Sequence, residues 1–442
     1  MKKLVCVLFF IAIFCGQCLS DETLNLEDSS NIALGNNYSI IAARQKVSVA
    51  EGNSGIAKSS LLPHLNLSGN LSRQYQSPYI MKFSVGGVQQ VVSAGFDEPS
   101  NNSSYGINLQ QSLFTFGKLL TAVDIANLTL EIEKLNLRSQ EQDVIFETIM
   151  AYYNVIKAIK FVDLAQESID MSKFHLSQVN AMFEQGMLTR ADTLRFEVQL
   201  SQSEQGMIKA KNGLEIAKSV FNTVLSRNIE TDVALDTVAF ASAETDSLSF
   251  GKLALDMFGY SPEWIKLLLT KKISENNLAI AAKGYLPTFS LSGSYGGSTT
   301  DYKNNNLNFS INSWNMMVGG SWDIFNGFKT MSEVYAARAT VAATDATIEN
   351  AKKRLTLDLK QAYLDLYSSR NQILAAQKSV DLSRENLRLA RLKYKSGMGT
   401  NIEVVDAQTA LTKSEADYIT AAFDYLLSKE RINKIIGKRV LK

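Results

Sequence analysis

The side chains able to do chemistry are few and scattered along the 442 residues. The two histidines, His64 and His175, lie far apart and show no metal-ligand spacing. All three cysteines, Cys6, Cys15 and Cys18, crowd into the extreme N-terminus. No Ser-His-Asp or Cys-His grouping is readable, so nucleophilic catalysis lacks its parts. Gly293, Gly296 and Gly297 imitate part of a phosphate loop, but they follow a strand pattern and open no helix, so they read as strand or turn glycines. Glu403 and Asp406 stand three apart, which places both carboxylates on one helix face. Acids on such faces are usually solvated. No enzyme, cofactor or metal site is expected.

The stretch that carries Glu403 and Asp406 is said twice. Phe183 to Gln199, FEQGMLTRADTLRFEVQ, matches Tyr394 to Ala410, YKSGMGTNIEVVDAQTA. Gly186 pairs with Gly397, Thr189 with Thr400, Asp192 with Glu403 and Leu200 with Leu411, each 211 positions apart. Both copies interrupt long helical periodicity with a glycine and small polar residues. A left-handed C-cap at the glycine followed by a Thr N-cap gives two helices meeting at a tight turn.

Lys plus Arg (45) nearly cancels Asp plus Glu (44), and no basic stripe stands out, so nucleic acid is not an expected partner. Residues 1–20 read as a secretory signal, with Lys2 and Lys3, an apolar core from Leu4 to Phe14, and Cys18-Leu19-Ser20 before Asp21. Phe14 and Gln17 are the wrong size for lipid attachment at the cysteines that follow them. Cleavage after Ser20 would leave a mature chain without thiols. Beyond the signal no apolar run is long enough to cross a bilayer as a helix. The mature protein is therefore soluble or spans as a β-barrel.

Two repeats are expected, 21–230 and 253–442, joined by a linker at 231–252. A helix from about Asn25 to Ser60 ends at Leu62-Pro63, and its counterpart, Leu253 to Gly284, ends at Leu286-Pro287. After each proline the period changes to two, in LLPHLNLSG and YLPTFSLSG. Strands are expected at about 62–75 and 103–113, then at 286–296 and 309–324. One face is aliphatic and aromatic, as in Leu65, Leu67, Tyr105, Ile107, Tyr295 and Trp314. The other leans on Ser, Asn and Gly, which suits a wet lumen with interfacial Tyr and Trp girdles. Polar stretches from about Gln76 to Asn102 and Gly296 to Asn308 are long for hairpin turns. Short loop words, LFTFGK and IFNGFK, then lead into helical stretches of about 65 residues, or roughly 100 Å at the α-helical rise. Apolar positions such as Val155, Ala158, Val162, Ala165 and Ile169 recur at three- and four-residue steps, as in packed coiled-coil-like helices.

Four strands per chain cannot close a barrel, and an open edge in lipid would leave N–H and C=O groups without partners. Several copies must pool strands. Two copies would supply eight and three would supply twelve, and strand counting does not choose between them.

The paired strands, the LFTFGK and IFNGFK words, Ala151-Tyr152-Tyr153 and the doubled FEQG/YKSG turns resemble the outer-membrane efflux, or TolC-like, family over nearly all of the mature chain. The resemblance implies a homotrimer with a twelve-stranded β-barrel in the outer membrane and a long α-helical barrel in the periplasm. It implies the exit duct of a tripartite efflux pump or type I secretion machine. The partners so implied are outer-membrane lipid, a periplasmic adaptor and an inner-membrane pump of the RND, ABC or MFS type. It places Glu403 and Asp406 at a pore constriction, where six carboxylates would attract cations. It also pairs Asp192 with Tyr394 in a latch at the closed tip. Gly399 stands where an Arg completes that network in a relative, so Arg190 or Arg195 would have to replace it. The alternative is a soluble periplasmic coiled-coil adaptor or scaffold whose strands form a β-sandwich.

Overall fold

The computed structural model describes residues 23–236, 249–302 and 306–439. The expected signal at 1–20 and the middle of the 231–252 linker lie outside them. The chain divides into two compact units. Of the described residues, one takes in 23–45, 135–236, 249–266 and 350–439, and the other 46–134, 267–302 and 306–349.

The elements come twice, with additions. The first repeat contains α1 (Leu26–Asn36), α2 (Tyr38–Ser59), β1 (His64–Gln74), β2 (Tyr79–Val85), β3 (Val88–Ala94), β4 (Ser100–Phe114), α3 (Lys118–Glu184) and α4 (Arg190–Val224). The second contains α5 (Phe250–Tyr260), α6 (Pro262–Ala282), β5 (Thr288–Tyr302), β6 (Leu307–Ser321), α7 (Lys329–Lys395) and α8 (Asn401–Ile436). Helices α3 and α7 are each 67 residues long and keep the 211-residue offset at both ends.

Three expectations need correction. The helix expected from Asn25 to Ser60 is two helices, broken at Asn37, which is extended (φ −66°, ψ 122°). Its side chain accepts from Ser39 N (2.9 Å) and donates to Val224 O (3.1 Å), so local side-chain bonding outcompetes the helix there. The helix expected from Leu253 breaks likewise at Ser261, because Pro262 excludes the α conformation from the residue before it. Thirdly, the polar stretches are not loops. Residues 76–102 hold the β2–β3 hairpin, turned by Gly86 and Gly87 at φ 60° and 83° as a two-residue hairpin requires. Strand β5 runs on to Tyr302 and β6 begins at Leu307, which shortens the second loop to a few residues.

The second unit centres on an antiparallel sheet ordered β1-β4-β5-β6. The register stacks Leu67 beside Ile107, Ile107 beside Tyr295 and Tyr295 beside Trp314 on one face. The other face carries Asn66, Asn108, Ser294 and Asn315. Glycine is required at 296, where a Cβ would lie 2.4 Å from the Tyr105 carbonyl oxygen, and at 297 a Cβ would meet Asn312 Oδ1 (2.2 Å) and the Tyr105 ring (2.9 Å). Tyr105 lies across that gap and its hydroxyl donates to Asn312 Oδ1 (3.0 Å). The glycines that imitated a phosphate loop are strand glycines. Phe309 and Ile311 depart from the polar pattern of their face, and Phe309 stacks edge-on against Tyr302, which contacts Phe96 (4.8 Å between centroids). In the turn words, Phe116 and Gly117, then Gly327 and Phe328, adopt positive φ at duplicate positions.

The first unit holds the main apolar cores. Tyr152, Phe221, Leu225, Ile40 and Val155 are fully buried where α1, α2, α3 and α4 meet, with Phe423 of α8 against them. Leu253 and Met257 of α5 pack on Leu359 and Ala362 of α7 and on Ile432 and Ile436 of α8. Hydroxyl clusters between the helices repeat as well. Ser203 bonds Ser168 (3.2 Å) and Ser172 (3.0 Å), and Ser414 bonds Ser379 (3.2 Å) and Ser383 (2.9 Å), at duplicate positions.

Candidate functional site at the paired helix turns

Both helix turns form as their residue types dictate. Gly186 and Gly397 are left-handed (φ 77° and 74°). Gly186 N donates to Phe183 O (2.9 Å) and Met187 N to Met182 O (3.0 Å). Gly397 N donates to Tyr394 O (3.1 Å) and Met398 N to Lys393 O (3.0 Å). This double bonding satisfies the last carbonyls of α3 and α7. Thr189 and Thr400 then take extended backbone at the N-cap.

The acid three residues later completes a capping box at the first turn, and at the second Thr400 caps the helix while Glu403 reaches only its hydroxyl. Asp192 Oδ2 accepts from Thr189 N (3.0 Å) and from the Thr189 hydroxyl (2.7 Å). Glu403 N donates to Thr400 Oγ1 (3.4 Å), whose hydroxyl also reaches Glu403 Oε1 (3.4 Å). The Thr-x-x-acid signature was visible in both repeats and escaped the sequence reading. Glu403 and Asp406 are both exposed on the first two turns of α8. Asp406 lines a groove of about 400 Å³ with Asn401, Ile402 and Val405 of α8 and Leu194, Arg195, Val198, Gln199 and Gln202 of α4. Arg195 is the duplicate of Asp406, so opposite charges share one groove.

Asp192 and Tyr394 do not bond each other in this chain. Asp192 Oδ1 instead accepts from Asn401 Nδ2 (2.7 Å), and that bond ties the first turn to the second. The Tyr394 hydroxyl is buried without a hydrogen-bond partner. Burial raises its pKa, and the negative charge of Asp192 adds to the rise. The bonds from the Thr189 side chain and backbone, with smaller help from Asn401 and Arg195, hold the Asp192 carboxyl below its usual range. Of the two substitute arginines, Arg190 is occupied by Thr193 (3.0 Å) and Glu197 (3.1 Å). Arg195 is the one whose charge acts on Asp192. A Cβ at Gly399 would lie 2.9 Å from Lys393 Cβ and 3.0 Å from Tyr394 N, so the turn leaves no room for an Arg there. Sequence reasoning missed Asn401, since a polar residue at the first position of a helix is unremarkable until its partner is seen. His64 opens β1 opposite Gln110, and His175 is buried in α3 below the turns.

A profile of the outer membrane efflux protein family matches residues 30–220 and 272–438, which include both turns and the sheet. The chain belongs to the outer membrane efflux protein family. Among its relatives, the outer membrane protein TolC of Vibrio cholerae is 21% identical over 93% of this chain and 90% of its own. The alkaline protease secretion protein AprF of Pseudomonas aeruginosa is 23% identical over 94% of this chain and 84% of its own. The fold is that of the crystallised CusC channel (TM-score 0.79, 17% identity, 93% of this chain and 92% of that one). It is also that of the MtrE outer membrane channel of Neisseria gonorrhoeae (TM-score 0.74, 20% identity, 94% and 89%). The family places the protein in the outer membrane and supports a channel of the efflux and secretion type; it gives no support to the soluble scaffold.

Proposed function

We propose that this efflux family member is the outer-membrane duct of a tripartite efflux pump or a type I secretion system. Three copies pool their sheets into one barrel, and the paired turns of α3–α4 and α7–α8 gate the periplasmic end. The observation that carries the reading is the four-stranded sheet. Among the described residues β1 and β6 pair on one side only, and the greasy face leaves Leu71, Trp314 and Val318 exposed. Unpaired strand edges are not tolerated in lipid, so β1 of one copy must meet β6 of the next. The helices support the same assembly. Leu357, Leu364, Tyr367, Leu374, Leu382 and Leu389 form an exposed stripe on α7 at near-heptad spacing, which a second copy would bury.

In that assembly Glu403 and Asp406 form the constriction, and Asp192, Asn401 and Tyr394 secure the tip. In this reading a periplasmic adaptor and an inner-membrane pump of the RND, ABC or MFS type complete the path; the alkaline protease secretion protein AprF among the relatives is in keeping with export. The test is fractionation followed by native mass measurement in mild detergent. The expected result is an outer-membrane species of three chains that survives unheated electrophoresis. A monomer in the soluble periplasmic fraction would overturn the reading.

A further inference from the structure

Three buried polar atoms without a hydrogen-bond partner belong to the last turns of the two long helices: His175 Nε2 on α3, and Arg391 Nε and Tyr394 Oη on α7. His175 is 5% exposed. Its ring contacts Phe174 (5.8 Å between centroids) on its own helix and Phe196 (6.2 Å) on α4, and the Gln178 side chain hydrogen-bonds it. The charged groups facing it are Arg391 and Lys395, both cationic and both from α7. From α8, the Gln408 amide donates to neighbouring Ser172 (3.4 Å). The Arg391 guanidinium donates to the Met171 thioether (3.1 Å), a weak acceptor for a cation. The Asp192 carboxylate is taken up by Thr189 and Asn401. At the duplicate positions stand Asn386 and Asn180, neither able to carry charge, so this arrangement belongs to one of the two repeat contacts.

We propose that protonation of His175 is an acid-triggered release for the packed turns: a second cation beside Arg391, with no acceptor for its Nε2 proton, drives the ends of α3 and α7 apart. Burial, then the Arg391 charge, push the His175 pKa down to about 4 while the turns are packed. In loosened turns the ring regains water and its ordinary value near 6.5. The packed state is therefore fully stable above about pH 6.5, weakens as the pH falls, and loses no more below about 4. The loosening stands on this packing alone; its consequence for passage through the protein rests on the duct reading.

Hydrogen exchange of the full chain in detergent tests it, with rates corrected for intrinsic pH dependence. Protection of peptides covering 171–200 and 388–405 should fall by up to about tenfold per pH unit between pH 6 and 4.5. Peptides covering the core around Tyr152 should hold theirs. His175→Gln should keep the turns protected across the whole range. Arg391→Gln should reduce the loss only in part, because burial, the larger cause of the lowered His175 pKa, remains when that cation is gone. Turns that stay protected in acid, or variants that lose protection as the parent does, would overturn the proposal. Bilayer current, measured in parallel, reads the duct separately, so an acid-loosened turn without a conducting pore would count against the duct alone.

Discussion

At Gly399 the backbone of one turn decides what chemistry the tip can have. Its missing Cβ is required by Lys393 and Tyr394, at 2.9 and 3.0 Å. Gly399→Ala should therefore destabilise the α7–α8 turn by about 1–3 kcal/mol, as overpacking does, measured as local hydrogen exchange at 390–405. Gly397→Ala tests backbone strain instead of space, since φ is 74° there and nothing lies within 4 Å. Asn401 is 7% exposed and Asp192 is its acceptor. Asn401→Ala should cost about 1.5–3 kcal/mol locally, the range for a hydrogen bond to a charged group. The measurement is the cross-link yield between introduced cysteines at the two turns, expected to fall. The capping of α4 by Asp192 has its own pH limit. A carboxyl whose pKa is lowered on folding stabilises the fold above its unfolded value, and that stability is lost as the pH falls through the lowered one. The α4 cap should accordingly persist to below about pH 3.8, beneath the range assigned to His175.

The long helices owe their place to buried aromatic and aliphatic anchors. Tyr152 is 1% exposed and its hydroxyl donates to Leu24 O (3.3 Å) and Asp236 O (3.1 Å), which pins the start of the described chain to the segment after α4. Leu24 and Leu235 form a parallel bridge beside it. Burial raises the Tyr152 pKa to about 12, so the hydroxyl remains a donor at any physiological pH. Phe221, with no exposed surface, fills the space next to Tyr152 at 6.1 Å between ring centroids. Phe221→Ala should cost about 3–5 kcal/mol, read as a lowered thermal midpoint in detergent. The serines at 168, 172, 203, 379, 383 and 414, of which 172, 203 and 414 are buried, let α3 approach α4, and α7 approach α8, with small side chains whose hydroxyls bond one another. Coiled-coil periodicity announced the seams. It did not announce the breaks at Asn37 and Ser261, because a side-chain bond to Val224 and a single proline outweigh helix-favouring neighbours.

For the whole molecule the decisive prediction concerns charge in the pore. In the proposed trimer, Glu403→Gln with Asp406→Asn should weaken block of single-channel current by divalent cations at least several-fold, since its ring of carboxylates would hold the cation. Unchanged block would remove both residues from the constriction. Leu364→Glu places a charge in the exposed α7 stripe and should lower the yield of three-chain species in native mass measurement.

The sequence by itself determined the duplication, the two helix turns with their glycine and threonine caps, the alternating strands and the membership of the family, because each is written in local periodicity or in short words at a constant offset. It also showed that one chain brings too few strands to close a barrel. Only the tertiary structure decided which groups meet across elements. Asn401 and not Tyr394 bonds Asp192, a Cβ at 399 would crowd Lys393 and Tyr394, and the Arg391 charge acts on His175. These depend on how α3, α4, α7 and α8 are rotated about their axes where they pack. Helical periodicity marks a buried stripe to within a residue or two, and a hydrogen bond is won or lost within an ångström.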